Sequence, residues 1–167
     1  FVPPAVFREL RLIARQMQKL TGILSGEKNR LHKILSDGGI RLGVVVSDIH
    51  GKSAKAMIKG LLAGESPEQV SKYASNRLKA SEEELLNALA GDLSPSHQFV
   101  LTELMAHIDE LEARIETFRQ ALLQGLAPYQ AILRSLPTIP GLDEAGAALL
   151  LVEIGDDMSA FGIPERL

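Results

Sequence analysis

The clearest pattern in the chain is a run of large apolar residues between positions 101 and 122. Their spacing alternates between three and four residues without interruption, which is typical of the heptad repeat of a coiled coil. No Pro or Gly lies between Pro95 and Gly125, and most of the positions between the large apolar residues are polar or charged. The pattern predicts one long helix with a narrow apolar seam. The seam residues are Leu101, Leu104, Ile108, Leu111, Ile115, Phe118 and Leu122.

A second run with the same spacing begins near the start of the chain and predicts a helix from about Ala5 to about Leu35. Its apolar positions are Val6, Leu10, Ile13, Met17, Leu20, Leu24, Leu31 and Ile34, with Glu27 at one seam position. Two heptad helices far apart in sequence predict a coiled coil, closed either as an antiparallel hairpin within one chain or between two copies. The alternative is that both helices are ordinary edges of a small bundle.

The segments between and after these helices predict further short helices. Ser66-Pro67 and Ser81 to Glu84 have the form of helix starts. Residues 42–49 are apolar and β-branched and could be a strand, but the chain offers no obvious partner strand, so we predict a short buried helix or turn. The prediction is an all-α fold. Residues 1–126 would be a coiled-coil linker region with a small helical cap at about 37–94, and residues 127–167 would begin a second domain.

Composition narrows the class of protein. The 167 residues contain 46% apolar residues, enough for a core, and no Cys, which excludes disulfides and thiolate metal sites. No apolar run approaches the roughly 18 residues that a membrane span needs, and no signal peptide is evident. We expect a cytoplasmic protein. Because the chain begins at Phe1, we expect it to be part of a longer protein.

Charge is distributed unevenly and suggests a polyanionic partner. Residues 1–41 hold eight Lys or Arg against three acids, a net of +5, whereas the remainder holds ten against eighteen, a net of −8. Cations spaced along one face of a helix can follow a phosphate backbone. The alternative is a solvated outer face. The candidate phosphate contacts are Arg8, Arg11, Arg15 and Lys19 on one outer face, continued by Lys28, Arg30 and Lys33.

A second candidate contact is a tight turn between two apolar helices near the end of the chain. Its residues Ile139, Pro140, Gly141 and Leu142 resemble a helix-hairpin-helix, whose backbone N–H groups bind phosphate without base specificity. Asp143 stands where the second glycine of such a hairpin is expected, and its charge weakens this interpretation. The alternative is an ordinary helical turn.

No catalytic constellation and no metal site are predicted in this chain. The four histidines lie far apart in sequence, and no pair has the spacing of metal ligands on a helix. Asp156 and Asp157 could hold a metal ion, but two adjacent acids after a helix are more often solvated.

Several short motifs, in this order and spacing, resemble the DEDD-type insertion-sequence transposases, the bridge-RNA-guided recombinases. They are residues 1–4 (FVPP), 8–10 (REL), 27–33 (EKNRLHK), 46–49 (VSDI), 56–58 (AMI), 61–65 (LLAGE), 106–109 (AHID), 139–141 (IPG) and 153–158 (EIGDDM). The resemblance implies a bacterial protein with an N-terminal RuvC-like domain. That domain carries an acidic tetrad with a divalent metal such as Mg²⁺. A coiled-coil linker and a C-terminal domain with a serine nucleophile follow it.

By this resemblance, the tetrad would precede Phe1 and the serine would follow Leu167, so no catalytic residue is assigned in this chain and its own enzymatic activity stays uncertain. We expect a non-catalytic part of a DNA transposase that mediates homo-oligomerisation and binds transposon DNA or guide RNA. The alternative is a purely structural coiled-coil dimerisation module that does not bind nucleic acid.

Overall fold

The computed structural model describes residues 5–75 and 78–156, and within these ranges it contains helices and no strand, as the sequence predicts. The two predicted long helices are both continuous. The helices are α1 (Ala5–Asp37), α2 (Leu42–Val45), α3 (Lys52–Leu62), α4 (Pro67–Val70), α5 (Glu82–Leu89), α6 (Pro95–Gly125), α7 (Gln130–Ser135) and α8 (Glu144–Ile154). Short 3-10 turns lie at Ser71–Tyr73, Ala127–Tyr129 and Leu136–Thr138.

The chain divides into two compact units, each containing part of α1 and part of α6. Unit 1 comprises residues 1–23 and 111–167, and unit 2 comprises residues 24–110. These units do not follow the expected boundary between residues 126 and 127. The reason is that α7 and α8 place their apolar side chains in the same core as the first turns of α1.

Unit 2 is built on the second half of α1 and the first half of α6. The two segments run antiparallel, because Asp37 lies beside His97 (Oδ2 to Nε2, 2.9 Å) while Glu27 lies beside His107 (Oε2 to Nδ1, 4.0 Å). The helices therefore share their seam within one chain, which is the first of the two arrangements that the heptads allow. Their common core contains Leu31, Leu35, Leu101, Leu104, Met105 and Ile108, with residues from α3, α4 and α5 packed on it.

The short helices of unit 2 begin where their capping residues predict. Ser66 and Ser81 each form a capping box, in which the serine oxygen accepts from a backbone N–H three residues later. Helix α4 is short and ends at Val70. The Ser71 hydroxyl donates to the carbonyl of Glu68 at 3.0 Å, a local bond that competes with helix continuation.

Two glycine-containing loops of unit 2 approach each other so closely that one position admits no side chain. A Cβ at Gly91 would overlap the carbonyl oxygen of Gly38, and it would lie 2.8 Å from the carbonyl carbon of Gly39. The same carbonyl of Gly38 accepts from the N–H of Asp92 at 2.9 Å. The lack of a side chain at Gly91 therefore allows the loop before α6 to pack on the loop after α1.

Unit 1 has its own core, formed by the first turns of α1, the end of α6, α7 and α8. Phe7 is fully buried and its ring lies 4.8 Å from the ring of Tyr129. On α6 the Arg119 guanidinium contacts Glu116 at 2.8 Å and Glu144, in the first turn of α8, at 3.2 Å. Hydrogen bonds from Arg119 and Gln120 lower the pKa of Glu116 to about 2.

An ionic cluster in unit 2 joins α3 to α6. The two carboxylate oxygens of Asp109 accept from the Nζ atoms of Lys55 and Lys59, each at 3.0 Å. Partial burial alone would raise the pKa of Asp109, but the hydrogen bonds and charges of Lys59 and Lys55 outweigh it and lower that pKa. The ionised carboxylate is therefore favoured in the folded state, and the contact stabilises the packing of α3 on α6.

We expect Gly91→Ala to destabilise the protein by several kcal/mol, because the loop carrying Gly38 must move. The matched control is Gly26→Ala in the middle of α1, where an added Cβ meets no atom within 4 Å. That substitution should stabilise the protein by roughly 0.5–1 kcal/mol through helix propensity. Urea unfolding followed by circular dichroism measures both. Equal effects of the two substitutions would contradict the close approach.

We expect Asp109→Asn to lower the free energy of unfolding by about 0.5–1 kcal/mol at pH 7, a modest value because the carboxylate is partly exposed. Since the folded pKa lies below the unfolded one, this contribution is present above the ordinary Asp pKa and disappears as pH falls through the lowered value. The difference between wild type and variant should therefore shrink below about pH 4. Glu103→Gln, the same change from carboxylate to amide at an exposed position of α6 that forms no ion pair with a described residue, is the matched control.

Candidate nucleic-acid interface

The predicted basic face of α1 is partly retained in unit 1. Arg8, Arg15 and Lys19 are exposed, and they lie on the side of α1 opposite to the buried residues Leu10 and Met17. At 100° per residue, Arg8, Arg15 and Lys19 fall within about 40° of one another around the helix axis. They span about 16 Å along it, at about 1.5 Å per residue. We call these three cations the α1 basic face.

Arg11, which the sequence places with them, has a different role. Its Nε donates to the carbonyl of Val152 at 3.1 Å and lies 3.3 Å from Glu153 Oε2, and its second guanidinium nitrogen donates to the carbonyl of Glu153. These carbonyls belong to the last turn of α8, where no intrahelical donor remains. Arg11 therefore fastens α8 to α1 and is half-buried, which removes it from the phosphate-binding candidates.

Arg15 keeps most of its guanidinium in solvent. Its Nε lies 3.8 Å from Glu153 Oε1, a long contact with the side chain 69% exposed. An exposed ion pair of this kind contributes little and leaves the donors available to another anion. Leu12 lies between Arg8 and Arg15 with 76% of its surface exposed. The exposed side of α1 in unit 1 thus presents the α1 basic face together with one apolar side chain.

The three cations predicted further along α1 belong to unit 2 and differ among themselves. Lys28 is half-buried, because its position falls on the apolar side of the helix. Arg30 Nη1 bonds Glu27 at 2.9 Å, which satisfies the one acidic residue of the seam. Lys33 is exposed, and within the described residues it forms no ion pair. Of these three, only Lys33 remains fully available for a phosphate.

The predicted seam residues lie on the inner sides of both long helices, except Val6 near the start of α1, which is exposed. In unit 1, Leu10, Met17, Leu111 and Leu122 are buried, and Ile13, Leu20, Ile115 and Phe118 are half-buried. In unit 2, Leu31, Leu101, Leu104 and Ile108 are buried, and Leu24 is half-buried. The heptad missed further buried residues beside the seam, namely Phe7, Ala14, Leu35 and Met105. Their three- and four-residue steps from seam positions, such as Phe7-Leu10-Ala14-Met17, were the available signal.

The hairpin of residues 139–142 forms a tight turn between α7 and α8. Gly141 has a φ of 85°, and the N–H of Leu142 donates to the carbonyl of Ile139 at 3.2 Å. Asp143 then caps α8, its Oδ1 accepting from the N–H of Gly146 at 2.7 Å. This carboxylate occupies the helix N-terminus that a phosphate would need. Ile139, Pro140 and Gly141 are exposed and Leu142 is half-buried, but the site is already filled by an acid.

Two further titratable residues, His97 and Asp156, lie in a structural contact and in solvent, respectively. His97 bonds Asp37 and also Ser94 (Nδ1 to Oγ, 2.8 Å), so it joins the end of α1 to the start of α6. Asp156 is exposed, and Asp157 lies outside the described residues. Across residues 5–75 and 78–156, no group of three His, Asp or Glu side chains is arranged to hold a metal ion. Among the described helices, none combines the length and apolar character that crossing a bilayer requires.

Comparison with known proteins identifies no relative. No family model, no curated protein and no solved structure matches the chain.

We expect Arg11→Ala to lower the free energy of unfolding by about 1–3 kcal/mol, because it leaves the carbonyls at the end of α8 without their donor. Arg8→Ala, one turn away and exposed, is the matched control and should change stability by less than about 0.5 kcal/mol. Thermal unfolding at two ionic strengths distinguishes the two residues. A cost for Arg8→Ala as large as that for Arg11→Ala would contradict the role of Arg11 in holding α8 to α1.

Proposed function

We propose that this chain is a nucleic-acid-binding, non-catalytic helical region of a DNA transposase, and that it holds transposon DNA or guide RNA by the phosphate backbone. The transposase class rests on the resemblance of the sequence motifs to the DEDD-type insertion-sequence transposases. The binding surface rests on the α1 basic face.

The observation that carries the proposal is the placement of Arg8, Arg15 and Lys19 on one rigid helix, directed away from the core of unit 1. Duplex nucleic acid carries one charge per about 1.7 Å of its axis, so a rod with cations over about 16 Å faces several phosphates at once. Side chains on a helix are positioned more uniformly than side chains on a loop, which favours contact with a regular backbone.

Acidic residues elsewhere in the chain should confine nucleic-acid binding to the α1 basic face. Glu9 flanks the α1 basic face, and Glu153 already balances Arg11. The sequence beyond residue 41 carries a net charge of −8, which repels phosphates from most other surfaces. We therefore expect contacts to the sugar-phosphate backbone without base recognition, and affinity that decreases strongly as salt increases.

Oligomerisation through the seam receives less support than binding of nucleic acid. In each unit, seam residues of α1 and α6 are buried in one core of the same chain, so they present no free apolar stripe to a second copy. The purely structural alternative would have to use another surface. One observation favours it: Phe99 and Val100 on α6 are 68% and 41% exposed.

We expect the triple variant Arg8→Ala, Arg15→Ala and Lys19→Ala to bind a structured RNA or a DNA duplex at least tenfold more weakly at low salt. The slope of log affinity against log salt should decrease by about one for each phosphate contact removed. Fluorescence anisotropy with a labelled duplex at several salt concentrations measures both quantities.

The control is a second triple variant with the same change in net charge, made at Lys52, Lys72 and Arg134, which are exposed outside α1. It should keep the salt slope of the wild type. Equal losses in both triple variants would indicate a non-specific charge effect and contradict the α1 basic face. Sedimentation of the wild type and of Phe99→Ser tests the alternative. If the wild type forms a concentration-dependent dimer that binds neither nucleic acid, and Phe99→Ser dissociates that dimer, the structural alternative would replace the proposal.

A further inference from the structure

Unit 2 contains a surface groove between α2 and α5. Its volume is about 560 Å³, within the range of sites for small organic ligands. Apolar and polar side chains both line it: Arg41, Val44, Val45, Lys79, Ala80, Glu84, Asn87 and Ala88.

A backbone hydrogen bond between the two helices fixes the walls of the groove. The N–H of Arg41 donates to the carbonyl of Ala88 at 2.8 Å, which fastens the start of α2 to the end of α5. Helix α2 is a single turn, and it directs Leu42 into the core of unit 2 while Val44 points outward. Val44 is 82% exposed, the most exposed large apolar side chain in the described chain. An apolar wall therefore faces solvent beside charged groups.

The charged groups of the groove favour an anion. Arg41 and Lys79 are exposed, and neither forms an ion pair with a described residue. The one acid, Glu84, has an oxygen that accepts from the N–H and the hydroxyl of Ser81 at 2.8 and 3.1 Å, and these bonds lower its pKa. The groove is therefore lined by two cations and one carboxylate, and one oxygen of that carboxylate is already bonded in the N-cap of α5.

We propose that this groove binds a nucleoside phosphate. The phosphate would lie on Arg41 and Lys79, and the base would lie on the apolar wall of Val44 and Val45. The amide of Asn87 can pair with the edge of the base, and the second oxygen of Glu84 can accept from an exocyclic amine. The nucleotide is either free or the phosphorylated end of a single strand of the bound nucleic acid. In the second case the inference rests on the proposed function and deepens it.

The experiment is an NMR titration of the 167-residue chain with adenosine monophosphate, and separately with a 5′-phosphorylated single-stranded pentanucleotide. We expect amide shifts around residues 41–45 and 79–88 with both ligands. Arg41→Ala with Lys79→Ala should weaken both affinities roughly tenfold or more, since two charge-assisted hydrogen bonds are lost. Val44→Ser should weaken adenosine monophosphate several-fold and leave inorganic phosphate unchanged. Tighter binding of the pentanucleotide than of the mononucleotide would identify the strand end as the source.

The matched control is Lys52→Ala with Lys72→Ala, two exposed cations of the same unit that do not line the groove. It should leave nucleotide binding unchanged, and circular dichroism should show every variant folded. No shift with millimolar adenosine monophosphate, or equal weakening by the control, would overturn the inference. The triple variant of the α1 basic face separates the two proposals: it should lose duplex binding and keep nucleotide binding. Nucleotide binding without duplex binding would contradict only the proposed function, and the reverse would contradict only the groove.

Discussion

Burial of the apolar sides of α1 and α6 is the interaction on which the rest of the structure depends. Helices of 33 and 31 residues gain most of their stability from tertiary packing and not from intrinsic propensity. In unit 2 this packing is the core around Leu31, Leu35, Leu101 and Ile108, and each such buried side chain contributes about 1.5–3 kcal/mol. In unit 1 the same helices pack their other halves with α7 and α8. Since burial fixes the inner side of each helix, it also fixes which side chains face solvent.

That constraint explains why seven cations of similar appearance have different roles. Arg8, Arg15 and Lys19 lie opposite the seam, whereas Arg11 is displaced by about 60° from Arg8 around the helix, toward α8. Lys28 falls on the seam side and is half-buried. A guanidinium or ammonium group at the border of a core is drawn to the nearest acceptor, and for Arg11 this is the last turn of α8. Only cations far from the border remain available to a partner.

Much of the fold follows from local signals in the sequence, whereas the use of individual site residues depends on long-range contacts. The two long helices and the capping serines Ser66 and Ser81 are confirmed, because spacing and caps act within a few residues. The partner of Arg11 lies more than 140 residues away and leaves no local signal. The close approach of Gly91 to Gly38 also joins residues far apart in the sequence, so no local pattern predicts it. The role of Asp143 as the N-cap of α8 could have been predicted, since an acid before Glu144 and Ala145 is an ordinary helix start.

The two surfaces of unit 1 that the sequence predicts to bind phosphate differ in the contacts that binding would disrupt. At α8, a phosphate would have to displace the Asp143 carboxylate from the N–H of Gly146 and approach Glu144 as well. Both the lost hydrogen bond and the repulsion oppose binding. On α1, a phosphate would meet Arg8 and Lys19, which engage no described acid, and would at most exchange the long contact between Arg15 and Glu153. A polyanion that binds unit 1 should therefore lie along α1, with the hairpin of residues 139–142 serving to connect α7 to α8.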